Sequence, residues 1–192
     1  MINDVLEQVA EDFLRGRGYF TQHNVKYRQN DIGVHSDIDV LGIHPNKKGV
    51  ERVVVVSCKS WQGGLNIERD LKMLQNNPEK VIAGKSMEKT WKEFFNKECV
   101  NAIKEKVYNL AGQKDFIFYL AVTKYRGDKK DWETFPIFVR NFRNCKIIVI
   151  DMKSMISEIW DSLTTTPSHS ELTRLLQLIK ADNGKIEYEN NG

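Results

Sequence analysis

Ser36-Asp37-Ile38-Asp39-Val40-Leu41-Gly42-Ile43 is followed by the loop Pro45-Asn46-Lys47-Lys48-Gly49, then by Val53-Val54-Val55-Val56-Ser57-Cys58-Lys59. The two apolar runs read as strands over 37–44 and 52–59, joined as a hairpin. Four valines without polar alternation suit a strand covered on both faces, at the centre of a sheet. Carboxylates open the first run and a lysine closes the second. Burial of the strands fixes their polar ends, and a suitable register brings Asp39 and Lys59 together.

Upstream, Val5, Leu6, Val9, Ala10, Phe13 and Leu14 recur at i, i+3, i+4 spacing, predicting a helix over 3–17. Asn3 or Asp4 can cap it, and Gly16 and Gly18 end it. A first strand is expected over 19–28, then a turn over 29–33. Downstream, a short helix is expected over 67–75 and a long one over 87–110, with Trp91, Phe94, Phe95, Val100, Ile103, Val107 and Leu110 on its core side. A strand over 116–123, a helix over 132–141, a strand over 146–150 and helices over 152–163 and 171–181 complete the pattern. Pro136 weakens the middle of the 132–141 helix. A strand meander followed by a βαβ unit predicts an α/β fold, a mixed β-sheet flanked by helices with an αβββαβ core. One domain is expected over 1–181, with a polar tail over 182–192.

The 192 residues suit one domain, and 41% hydrophobic with 29% charged residues is ordinary for a globular chain. A net charge of +3 leaves room for a local basic patch but does not by itself mark a nucleic-acid binder. Cys58, Cys99 and Cys145 are few, odd in number and widely spaced, against a disulfide framework or a zinc site. No apolar run approaches the ~20 residues of a membrane helix, and the acidic N-terminus is unlike a signal peptide. A cytoplasmic protein without membrane contact is expected.

Phosphodiester hydrolysis needs charge neutralised at the phosphate, an activated water and a stabilised leaving oxygen. Carboxylate-bound magnesium with a nearby lysine supplies these. Three segments resemble the PD-(D/E)xK, or restriction-endonuclease-like, nuclease superfamily, nearest to its Mrr-like and Holliday-junction-resolvase-like members. They are Glu7-x-x-Ala10-x-x-x-Leu14-x-x-x-Gly18-Tyr19, Asp37-Ile38-Asp39-Val40-Leu41 and Val56-Ser57-Cys58-Lys59-Ser60. The likeness covers roughly the first 75 residues, and beyond them only the element order. It implies a Mg²⁺- or Mn²⁺-dependent DNA endonuclease serving restriction, repair or mobile-element processing, and a homodimer where two strands are cut. Carried across, Asp39 is the central metal ligand and Lys59 the catalytic lysine. The Cys58 carbonyl faces the metal, and Glu7 binds metal-held water or a second ion. Asp37, read as sharing a strand face with Asp39, is an auxiliary ligand or sits at the mouth of the site, and Glu11 is read as lying on the far side of its helix.

The departure is Ser57, where the superfamily carries an acid. Some restriction enzymes with Ser-x-Lys take the acid from the following helix, which makes Glu68, and next to it Asp70, the candidate replacement. Failing that, the chain is a non-catalytic nucleic-acid-binding or assembly module of the same fold, or an interaction domain whose carboxylates only cap strands. For DNA contact the candidates flanking the site are Arg15, Arg17, Lys26, Arg28, Ser60, Trp61 and Gln62. A second basic segment is Lys124-Tyr125-Arg126-Gly127-Asp128-Lys129-Lys130. The nucleophile reading of Ser57 lacks a Gly-x-Ser-x-Gly elbow, and that of Cys58 lacks a partner histidine.

Overall fold

The computed structural model describes residues 4–29, 35–76, 91–168 and 170–182. Helix α1 (Val5–Gly16) leads into β1 (Phe20–Gln29), β2 (His35–Ile43), a 3₁₀ turn (Gly49–Arg52) and β3 (Val53–Lys59). Next come β4 (Leu65–Asn66), α2 (Ile67–Asn76), α3 (Lys92–Phe95), α4 (Lys97–Ala111), β5 (Ile117–Val122) and β6 (Tyr125–Arg126). The chain continues through α5 (Lys129–Glu133), α6 (Pro136–Asn141), β7 (Lys146–Asp151), α7 (Met152–Ser162) and α8 (Glu171–Ala181). The expected turn at 30–33, the helix start at 87–90 and the tail from 183 fall outside the described residues.

The main sheet runs β1-β2-β3-β5-β7, antiparallel between β1, β2 and β3 and parallel between β3, β5 and β7. β3 is central, as the valine run predicts, and Val53 to Ser57 are all buried. This is an α/β fold with a mixed sheet between two helical layers. On one face Leu6, Val9, Phe13 and Leu14 of α1 and Met155 and Ile159 of α7 pack on Val40, Val54, Val56 and Tyr119. On the other, Trp91, Phe94, Val100, Ile103, Trp132 and Phe138 cover Val55, Phe118, Leu120 and Val149. No described helix is long and apolar enough to cross a membrane.

Two expected helices are broken, each for a local reason. Within 87–110, Asn96 adopts extended backbone and its side chain accepts from the Glu98 and Cys99 N–H groups, so α4 starts afresh behind a cap. Leu110, expected on the core side, is instead exposed in the last turn of α4. Within 132–141, Pro136 has no N–H to donate and takes the first turn of α6, and α5 ends at Glu133.

The β1–β2 pair has an irregularity that bears on the site. Strict alternation would put Ile38 and Val40 on one face. Instead Ile38 joins Leu41 in one apolar cluster, and Val40 belongs to the other. The strands turn over between the pairs His23–Val40 and Val25–Ile38, and the β1–β2 ladder pairs neither Asn24 nor Asp39. Asn24 takes φ 51°, which asparagine tolerates better than most residues. Two-residue periodicity therefore does not carry from Asp37 to Asp39.

Phe94 is fully buried and meets Phe118, Trp132, Phe138 and Phe142 with ring centroids 4.9–5.9 Å apart. Phe94→Ala should lower unfolding free energy by about 3–5 kcal/mol. Chemical denaturation followed by tryptophan fluorescence measures this; a loss under 1 kcal/mol would mean that the ring cluster does not anchor α3.

Candidate active site

The last β2–β3 pair is Val40–Val56, and beyond it the strands diverge. The gap is bridged by a side chain: the Cys58 N–H donates to Asp39 Oδ2 at 2.6 Å. Ser57 and Lys59 alternate with Cys58, so both side chains fall on the face covered by α3. There Ser57 Oγ donates to Glu93 Oε1 at 2.7 Å, and Lys59 Nζ donates to Ser57 Oγ at 2.8 Å. The ammonium also lies 3.2 Å from Glu93 Oε1, which closes a triangle. The Lys59 and Glu93 side chains are only 17% and 12% exposed, so neither charge is left to bulk water.

Glu7, in the first turn of α1, approaches from the opposite layer and interacts electrostatically with Lys59. Burial raises its pKa, Asp4 adds to this, and His23 and Lys59 oppose it. The site therefore lies at the C-terminal end of β3, between the two helical layers.

Asp39 lies half-buried at the end of the β2–β3 ladder. Burial raises its carboxyl from 3.8 to about 6, against the pull of Lys59 and the Cys58 N–H, while Glu93 and Glu7 add to the rise. For Lys59, burial works to lower the pKa, but Glu93 and Asp39 outweigh it and the ammonium is held above the ordinary lysine range. Burial pushes the Cys58 thiol well up, so its sulfur stays protonated. Burial likewise raises the Tyr27 phenol, with Glu93, Cys99 and Asp39 contributing, which puts β1 beside the same charges.

The structure brings Asp39, Lys59, Ser57 and Glu7 together and adds Glu93, which sequence reading missed. Glu93 lies 36 residues beyond Ser57, between Phe94 and the buried Trp91. A helical stripe marks those aromatics as core and leaves the residue between them looking like surface. The one hint was Ser57 itself, a neutral residue where an acid was expected.

Glu68 is not at this cluster. Its side chain is 76% exposed and pairs with Lys72 one turn along α2. Asp70 is buried but is held by Arg69 Nε at 2.9 Å and by the Asn66 N–H. Asp37 lies beyond the strand turnover. One of its carboxylate oxygens is buried with no hydrogen-bond partner among the described residues, and the charges acting most on Asp39 are Lys59, Glu93 and Glu7. Glu11 corrects the expectation of a far side: one turn from Glu7 on the same helix face, it reaches His23 Nε2 at 2.7 Å.

The flanking cations scatter. Arg15 pairs with Glu11, and Arg17 pairs with Glu158, donates to Tyr119 Oη and lies over the Phe13 ring. Helical rise carries these two about 12–15 Å along α1 from Glu7. Lys26 is exposed opposite Asp37, and the Arg28 side chain lies outside the described residues. Ser60 and Gln62 are exposed directly after β3, and Trp61 is half-buried against Trp91.

Among the described residues, no group of three or more His, Cys, Asp or Glu side chains forms a ready chelate. Magnesium needs less from the protein: one or two carboxylates, with water and substrate oxygens completing the shell. Asp39 and Glu93 are hard oxygen donors of that kind. The raised Asp39 pKa reflects burial that Lys59 and the Cys58 N–H only partly offset. Comparison with family models, with curated proteins and with solved structures finds no match to this chain.

The folded chain holds the Asp39 proton more tightly than the unfolded chain does. Its contribution to stability is full below about pH 4 and is lost as pH rises through about 6, a loss on the order of 3 kcal/mol. Urea denaturation in EDTA should show this decline for the wild type and a flatter profile for Asp39→Asn. Parallel profiles would show that Asp39 ionises freely.

Proposed function

We propose that this chain is a metal-dependent DNA phosphodiester hydrolase with a restriction-endonuclease-like core. The observation that carries the reading is the hydrogen-bonded triangle of Ser57, Lys59 and Glu93 beside Asp39 at the end of the central strand. Glu93, coming from a helix, supplies the acid that the resemblance to PD-(D/E)xK nucleases calls for and that Ser57 lacks.

Asp39 and Glu93 would hold Mg²⁺ or Mn²⁺, with the Cys58 carbonyl and Glu7 through water as further oxygen donors. When bound, the ion supplies charge neutralisation at the phosphate and lowers the pKa of water. Lys59, held as an ammonium, is a poor base at neutral pH. Its role is to orient water and to offset the charge that develops on the phosphoryl oxygens. Ser57 is the positioning residue between the two charges: it accepts from Lys59 and donates to Glu93, and so sets the distance between them. Neither Ser57 nor Cys58 serves as a nucleophile in this scheme.

Incubation of the protein with plasmid and short linear DNA in Mg²⁺ or Mn²⁺ should give cleavage that EDTA abolishes. Asp39→Ala, Lys59→Ala and Glu93→Gln should each slow it by at least ~10²-fold, while Glu68→Ala changes it less than about twofold. Titration calorimetry should detect Mn²⁺ binding that Asp39→Ala removes. Absence of both binding and cleavage on any DNA form would sink the enzyme and leave the non-catalytic module.

A further inference from the structure

Beside the charged triangle lies a cavity of about 550 Å³ lined by Trp61, Asn66, Arg69, Asp70, Trp91 and Arg126. It falls within the ordinary range for ligand sites, roughly 300–1,000 Å³. Its position follows from the chain. Trp61 is two residues beyond Lys59, and Trp91 is two residues before Glu93. The indoles meet edge to face with centroids 5.3 Å apart. The two segments that carry the triangle therefore also build the aromatic wall. Trp91 is 2% exposed and braced by Trp132 at 4.6 Å, whereas Trp61 is only half-buried and keeps accessible surface.

Met73, Gly63 and Gly64 add to the wall, and the polar groups among the lining are Asn66, Arg69, Asp70 and Arg126. β4 and β6 pair in parallel, which sets Asn66 beside Arg126. Gly64 makes the close approach possible: it takes φ 69°, and a Cβ there would come within 2.4 Å of the Lys124 carbonyl oxygen. Asp70 is 4% exposed and ties down both sides of the cavity. It accepts from Arg69 Nε at 2.9 Å and from the Asn66 N–H at 3.3 Å. The Arg69 side chain is 62% exposed, and Arg126 is exposed and forms no ion pair among the described residues. Two guanidinium groups against one carboxylate leave the cavity net positive.

An accessible indole, two arginines and the Asn66 amide form a set of complementary parts, with Asp70 bracing Arg69. They match a flat aromatic ring with hydrogen-bonding edges, joined to an anion. Resting on the hydrolase reading above, we infer that the cavity takes an unpaired nucleotide of the strand to be cut. Its base stacks on Trp61, its edge faces Asn66, and its phosphate meets Arg69 and Arg126. A paired base cannot enter, because its faces are covered by neighbours and its edge by its partner. A single-stranded or extruded base can. The preferred substrate is then DNA with unpaired nucleotides next to the scissile bond, such as overhangs, flaps or single strands.

The test is binding by the full chain in EDTA, where hydrolysis does not contribute. Fluorescein-labelled oligothymidylate of twelve nucleotides is compared by anisotropy with a duplex of equal length at low salt. The single strand should bind at least tenfold tighter and quench tryptophan fluorescence. Trp61→Ala and Arg126→Ala should each weaken single-strand binding about tenfold and alter duplex binding less than twofold, with Trp61→Phe retaining most of the affinity. Equal affinity for the two DNA forms, or variants that bind single strands like the wild type, would overturn the inference. If Trp61→Ala does not fold, Arg126→Ala in the exposed ribbon decides alone. A protein that holds single strands through this cavity but cuts nothing keeps the inference and loses the hydrolase. One that cuts duplex DNA with Trp61 dispensable does the reverse.

Discussion

A lysine ammonium at the largely buried end of a central strand must be compensated within the protein, because little water reaches it there. That constraint organises this end of the molecule. Lys59 is answered by Glu93 directly and through Ser57, and by the field of Asp39 and Glu7. The four partners come from β2, β3, α1 and α3, so the balance of charge ties both helical layers to the sheet. Burial raises the Asp39 pKa in spite of Lys59 and the Cys58 N–H.

Placing the carboxylates so close depends on two departures from regular structure. The turnover of β1 and β2 at Asn24 and Asp39 frees Asp39 from the ladder, and its carboxylate then takes the Cys58 N–H that β2 no longer serves. The break at Asn96 separates α3 from α4, and the short helix is then oriented by its rings. Trp91, Phe94 and Phe95 are buried in the large aromatic cluster, and Glu93 follows them to the strand end. The apolar core thus fixes a polar site: dispersion and burial on one side of α3 set the position of a carboxylate on the other.

The same economy links the charged triangle to its neighbouring cavity. Lys59 and Trp61 belong to one segment, and Trp91 and Glu93 to another. Any ligand held by the indoles is held at a set distance from the ion pair. Under the proposed function, binding and chemistry are therefore properties of one construction, and a change in the packing of Trp91 would disturb both.

Much of this was legible in the sequence because it was written in local pattern. The valine run marks a central strand, since four apolar residues without alternation need cover on both faces. The spacing of Leu6, Val9, Ala10, Phe13 and Leu14 marks α1, and the strand-end positions of Asp39 and Lys59 announce a polar site at a rigid place. Glu7 was within reach for the same reason, although Glu11 was misjudged by overlooking that one helical turn returns to the same face. The acid that answers Ser57 was not legible. Sequence proximity favoured Glu68, but α2 turns that side chain to solvent. Glu93 arrives from 36 residues beyond Ser57, through a cap at Asn96 and a cluster of rings. Periodicity reports which face of an element is apolar, and only tertiary packing decides which distant faces meet.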